Sequence, residues 1–202
     1  MTFQPGFYRN LCLNSPYVDY FKAHIKDIFQ SIDTPLDGLF LDILNLQPCA
    51  CPRCVAEMQS MGIDAEDREK RFEFAIMVMD RFKRDITKFI HDIQPDCPVF
   101  YNAGHIGVNH KNALETFTHL EIESLPGGYW GYDHFPATAR YTRTLGLDFM
   151  GMTGKFHTDW GDFSSFKNQP ALEYECFKSL AYTGKCSVGD QLSPDGRISA
   201  PV

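Results

Sequence analysis

Residues 37–43, Asp-Gly-Leu-Phe-Leu-Asp-Ile (DGLFLDI), lie between Pro35 and Pro48. The run is short, apolar through its middle and bounded by helix breakers, which is the pattern of a buried strand. Along an extended chain Leu39, Leu41 and Ile43 face one way, while Gly38, Phe40 and Asp42 face the other. An isolated aspartate more often caps a helix or pairs with a base. A carboxylate at the end of a strand this apolar needs a stronger reason, and Asp42 is therefore a candidate functional group.

The neighbouring segments alternate helix and strand. Residues 17–31 place Phe21, Ile25 and Ile28 at helical spacing, with Ile32 just beyond. Residues 65–93 do the same with Phe72, Ile76, Met79, Phe82, Ile86 and Phe89, and predict a long amphipathic helix. Further strands are expected at 97–102, 118–124, 146–152 and 185–190, with helices at 135–144 and 169–182 between them. In 118–124, Leu120 and Ile122 oppose His119, Glu121 and Glu123. Strands separated by helices predict a parallel α/β sheet. A doubly wound sheet and a (β/α)8 TIM barrel both satisfy that order. The glycine fingerprint of dinucleotide folds and the phosphate loop are both missing. Polar groups gather where strands end: Asp42, Asn102, Glu123, the stretch after Met152, and Asp190. Barrels place their active sites at that end. The expected architecture is a C-terminal partial barrel, about strands 4 to 8, with residues 1–202 forming one glycoside-hydrolase-like domain cut from a longer chain. A barrel opened in this way exposes strand edges, which puts the activity of the isolated piece in question.

Composition narrows the function. The 202 residues are 44% hydrophobic and 22% charged, ordinary for a globular domain. Aromatics reach 14%, with 17 Phe, 9 Tyr and 2 Trp, which suits either a large core or a ring-binding cleft. Net charge is -7, with an isoelectric point near 5.4 and no dense basic run. That argues against a nucleic-acid partner. No apolar run is long enough to span a membrane, and the first ten residues carry no secretory signal, so a cytoplasmic location is expected. Seven cysteines, an odd number, argue against a disulfide framework.

Three groups of residues carry candidate chemistry. The first is the pair Asp42 and Glu123. Glycoside hydrolysis needs two carboxylates across the scissile bond, one donating a proton and one acting as nucleophile or base. Glu121 shares a face with Glu123 but lies farther from the strand end. The second is Cys49, Cys51 and Cys54 in PCACPRC, a C-x-C-x-x-C spacing that suits structural zinc, with Cys12 of LCLNSPY as the fourth ligand. The bland alternative is a set of packed free thiols. The third is a set of loop residues suited to binding a pyranose: Asn102, His105, Trp130, Tyr132, His157 and Trp160. Any one of these aromatics could equally pack over a barrel rim. No organic cofactor is expected.

LCLNSPYVDYF, DGLFLDI, CACPRC, EIESLPGG and GMTGKFHTDWGDF together resemble a family of glycosyl hydrolase barrels related to the α-L-fucosidases. The likeness runs from about Phe7 to Ser199. It implies an exo-acting, retaining glycosidase on a carbohydrate substrate, α-L-fucosidase-like or β-galactosidase-like, with Asp42 as nucleophile and Glu123 as acid/base. The Cys12, Cys49, Cys51 and Cys54 set resembles that of zinc-containing trimeric bacterial β-galactosidases, which implies a homo-oligomeric, trimeric parent protein. In those β-galactosidases the corresponding acid is a proton-donating Glu. The Asp here leaves the two roles open to exchange. The alternatives are a catalytically inactive carbohydrate-binding or zinc-stabilised domain, and a metal-dependent hydrolase of another class.

Overall fold

The computed structural model describes residues 10–198; the ends of the expected 1–202 domain, residues 1–9 and 199–202, lie outside it. The chain divides into two compact units. Among the described residues, one comprises Asn45–Cys97 with Leu39 and the residues before it, and the other Phe40–Leu44 with the residues from Pro98 on.

The first unit is helical. It holds α1 (Tyr17–Ser31), α2 (Pro52–Ser60) and α3 (Arg68–Ile93). The Asp67 carboxylate caps α3, accepting from the backbone N–H of Glu69 (2.8 Å) and Lys70 (3.4 Å), two of the donors a helix start leaves unpaired. Helices α1 and α3 meet through Phe21 and Phe82, whose ring centres lie 5.9 Å apart. Ile25, Phe82, Ile86 and Ile90 are buried. Helix α2 lies within the expected cysteine loop. Pro52 opens it, at the position where a missing N–H costs nothing, and Gly62 (φ +71°) stops it in the left-handed region. Cys54 and Met58 of α2 pack with Phe74 and Val78 of α3, and Cys12, Cys49 and Cys51 lie against that core.

The second unit carries the strands β1 (Leu39–Leu41, which starts at the boundary), β2 (Val99–Tyr101), β3 (Leu120–Glu123), β4 (Phe149–Gly154) and β5 (Cys186–Gly189). Helices α4 (His134–Thr142) and α5 (Gln169–Thr183) lie between the later strands. Strands β3, β4 and β5 form one parallel sheet in that order, and β1 and β2 form a second ladder. The protein is thus mixed α/β with parallel strands, as a partial barrel requires. The expected single wall is broken between β2 and β3, where the Thr118 side chain replaces ladder bonds. Its Oγ1 accepts from Val99 N (2.9 Å), while its own N–H donates to Val99 O (3.1 Å). Leu120 and Ile122 are fully buried, as their alternation predicts.

Strand β1 is shorter than the seven residues expected. Asn102 N–H donates to Leu41 O (2.7 Å), but Asn102 O accepts from Leu44 N rather than from Ile43 (3.0 Å). The extra residue bulges, and Ile43 takes φ +58°. A β-branched residue in the left-handed region is strained. The strain sits directly after Asp42, where the chain turns away from the sheet. No helix among the described residues is long and apolar enough to cross a membrane.

Candidate active site

Three strand ends converge on one amide. Asp42 follows β1, Asn102 follows β2 and Glu123 ends β3. Asn102 Nδ2 donates one hydrogen to Asp42 Oδ1 (2.8 Å) and the other to Glu123 Oε2 (3.1 Å). Its Oδ1 accepts from Gly104 N–H (2.9 Å). That last bond fixes the orientation of the amide, because a flipped amide would set N–H against N–H. Both acids therefore receive donors from a single, locked group.

These bonds bound the distance between one oxygen of each acid. The two acceptor oxygens are at most about 5.9 Å apart, the 2.8 and 3.1 Å bonds laid end to end. The hydrogens of a planar amide diverge by roughly 120°, which brings the oxygens to about 5 Å. Glu123 Oε1 accepts a further bond from Trp160 Nε1 (2.6 Å). Glu123 is buried, and both of its oxygens are engaged. Asp42 is exposed and makes one side-chain hydrogen bond among the described residues, leaving Oδ2 open. Glu121, the competing acid, is tied to His119 Nε2 (2.9 Å) and stands apart from the amide.

The other expected residues fall into three places. Asn102 and Trp160 join the carboxylates. Trp160 was expected among the pyranose-binding residues, and its N–H donates to Glu123. His105 and Trp130 surround His134: His105 Nδ1 lies 3.3 Å from His134 Nε2, the Trp130 ring packs edge-on at 4.6 Å, and His134 Nδ1 lies 3.2 Å from Ser124 Oγ. Burial, then the charge of His105, holds His134 below the usual histidine range. His157 is exposed on the loop that also carries Trp160. The turn at Pro126–Trp130 packs against that loop so closely that a Cβ on Gly127 would lie 2.2 Å from His157 O.

Tyr132 lines a solvent-open pocket with Ser124, Tyr174, Glu175 and Ser179. Its hydroxyl is pushed up by burial and then by the Glu175 charge. Strand-end Asp190 has a structural partner, Lys155 Nζ at 2.7 Å, and both side chains are buried. A second buried pair, Lys167 with Glu175, is joined by Thr153. Sequence reading missed these pairs, since a lysine in a loop carries no signal of burial.

The first unit holds the cysteine cluster. The ligand atoms of Cys12, Cys49, Cys51 and Cys54 all lie within 4.8 Å of one another. Cys12 and Cys54 sulfurs are 3.5 Å apart, and Cys51 and Cys12 3.7 Å. Four thiolates on a tetrahedral ion at ~2.3 Å would sit about 3.8 Å apart, so the donor set fits a metal ion. Asn14 N–H approaches Cys12 Sγ (3.4 Å), and Asn14 Nδ2 approaches Cys54 Sγ (3.8 Å) while donating to Glu57 (2.7 Å). Arg81 closes this network on Glu57 and Asn14. Burial pushes the Cys12 thiol up to about 11 and raises Cys54 further. Burial also opposes ionisation of Cys51, but bonds from the Cys54 backbone and neighbouring thiols outweigh it and bring Cys51 to about 7.

No protein-family model and no curated protein matches the chain. A solved structure does: α-L-fucosidase isoenzyme 2 from Paenibacillus thiaminolyticus, at 42% identity and a TM-score of 0.88. The match covers 98% of this chain and 30% of that one, so the chain spans under a third of the length of its relative.

Proposed function

From its relationship to the α-L-fucosidases, we propose that this chain is the catalytic-face portion of a retaining exo-glycosidase acting on an α-L-fucoside-like sugar, with Asp42 and Glu123 as the reacting carboxylates. The observation that carries the reading is the single Asn102 amide that bridges both acids. A separation of about 5 Å suits double displacement; inversion needs roughly 6.5–9.5 Å to admit a water.

Asp42 Oδ2, which has no hydrogen-bond partner among the described residues, attacks the anomeric carbon while Oδ1 stays anchored on Asn102. Glu123 delivers a proton to the leaving oxygen. In the second step Glu123 takes a proton from water, the resulting hydroxide attacks the anomeric carbon, and the Asp42–sugar ester bond breaks. The exposed faces of His157 and His105 would meet the sugar hydroxyls. One observation favours the reverse division of roles: both oxygens of Glu123 accept from fixed donors, so neither is left free to meet the leaving oxygen.

Aryl glycosides with the purified protein test the reading, α-L-fucoside first. Asp42→Ala and Glu123→Ala should each lower kcat by about 10²–10⁴-fold. Wild-type turnover in both variants removes the assignment. Added azide then separates the roles. In the variant lacking the nucleophile it gives a glycosyl azide of inverted configuration, and in the variant lacking the acid/base one of retained configuration.

The cysteine set is proposed to hold zinc as a closed structural site. Four protein ligands leave no open position for substrate or water, so no catalytic step passes through it.

A further inference from the structure

Two glycines stand where the backbone does not require them. Gly154 ends β4 and Gly189 ends β5; they are partners in the parallel register, and neither has a positive φ. Glycine weakens a strand, so its use there marks a close approach by another group. The approaching group is Trp160. A Cβ on Gly189 would lie 2.0 Å from Cη2 and 2.6 Å from Cζ3 of the indole. A Cβ on Gly154 would lie 3.5 Å from the same Cη2 and 3.1 Å from Leu125 and Phe156. The indole thus rests on a bare shelf made by two paired strand ends, and the edge of Phe156 packs against it with ring centres 5.2 Å apart. Seated there, its only polar atom meets Glu123 Oε1 at 2.6 Å.

We propose that Trp160 is a positioning residue for Glu123, held by the Gly154–Gly189 shelf, and not a sugar-stacking platform. With Asn102 on one oxygen and Trp160 on the other, the Glu123 carboxylate is fixed in rotation as well as in place. The catalytic consequence rests on the reading of Glu123 as a reacting group; the shelf and its hold on the indole do not.

The chain has 2 Trp, so its indole N–H groups give two amide-type signals in a nitrogen–proton correlation spectrum. Trp130 Nε1 is buried without a partner among the described residues, while Trp160 Nε1 donates to a carboxylate. The Trp160 signal, identified by its loss in Trp160→Phe, should lie downfield of the other. It should move upfield in Glu123→Ala and in Gly189→Ala. In turnover assays Gly189→Ala and Trp160→Phe should each lower kcat about 100-fold with KM within about threefold, the signature of a misplaced reacting group. If Gly189→Ala does not fold, Glu123→Ala and Trp160→Phe carry the test. An indole signal that stays in place in Glu123→Ala overturns the proposal. So does a Trp160→Phe variant with raised KM and unchanged kcat, which is how a stacking platform behaves. Movement of the indole signal as expected, in a protein that turns over no glycoside, keeps the shelf and removes the functional reading instead.

Discussion

Asn102→Asp probes the bridge with almost no change of shape. The retained Oδ1 still accepts the Gly104 N–H, while the donor between the acids becomes a third carboxylate oxygen. That oxygen would stand 2.8 Å from Asp42 and 3.1 Å from Glu123. Two unit charges 2.8 Å apart repel by about 6 kcal/mol at an effective dielectric of ~20 and by about 1.5 kcal/mol in bulk water. Asp42 is exposed and Glu123 buried, so the cost falls between those values. At ~1.4 kcal/mol per pH unit, the introduced carboxyl holds its proton roughly one to four units above its unfolded value of ~3.9. A folded value above the unfolded one gives stability that is complete at low pH and lost as pH rises. The variant, with one donor where the wild type has two, should therefore come closest to the wild type near pH 3.5, then fall further behind from about pH 4 upward and level off once the trio has released its extra proton. Thermal melts of both proteins between pH 3.5 and 8 measure the gap. A gap that stays constant with pH would refute the bridging geometry, because the new oxygen would then face no negative charge.

Three further outcomes follow from groups outside the carboxylate pair. Burial pushes Lys83 down to about 8, against the pull of Asp80; a lysine depressed on folding costs stability when charged, so stability should climb between about pH 8 and 10.4, by at most about 3 kcal/mol, and Lys83→Met should flatten that rise in denaturant titrations. Lys167→Met leaves the buried Glu175 carboxylate without its cation, and chemical denaturation should register a loss of about 3–5 kcal/mol. Cys54→Ser should lower the metal content measured by elemental analysis and the melting temperature together, and a strong chelator should reproduce both slowly; rapid loss of turnover before any unfolding would mark the metal as catalytic.

Much of the fold was legible because hydrophobic period survives folding. Leu120 and Ile122 are buried as their alternation predicts, and the long helix was displaced only at its start, to the Asp67 cap. What escaped depends on single contacts. Helix α2 was hidden because prolines and cysteines disguise its apolar face, and Pro52 reads as a break unless it is recognised as a first-turn residue. The split between β2 and β3 comes from the Thr118 hydroxyl, which no period reveals. Asp42 and Glu123 stood out as acids at the ends of apolar strands. Asn102 was read as a strand-end polar group and a sugar contact but not as a bridge, since an amide between two acids is a tertiary fact. Gly154 and Gly189 look like ordinary strand-end glycines until the indole above them is seen. Asp190 looked functional for the same reason as Asp42, and only the buried Lys155 ammonium distinguishes the two.

The central claim is a carboxylate pair about 5 Å apart that works by double displacement. Proton NMR of an aryl α-L-fucoside during hydrolysis tests it most directly, because the first product formed records the stereochemistry before mutarotation erases it. The account predicts α-L-fucose first, with the β anomer growing in later. β-L-Fucose as the initial product would contradict it.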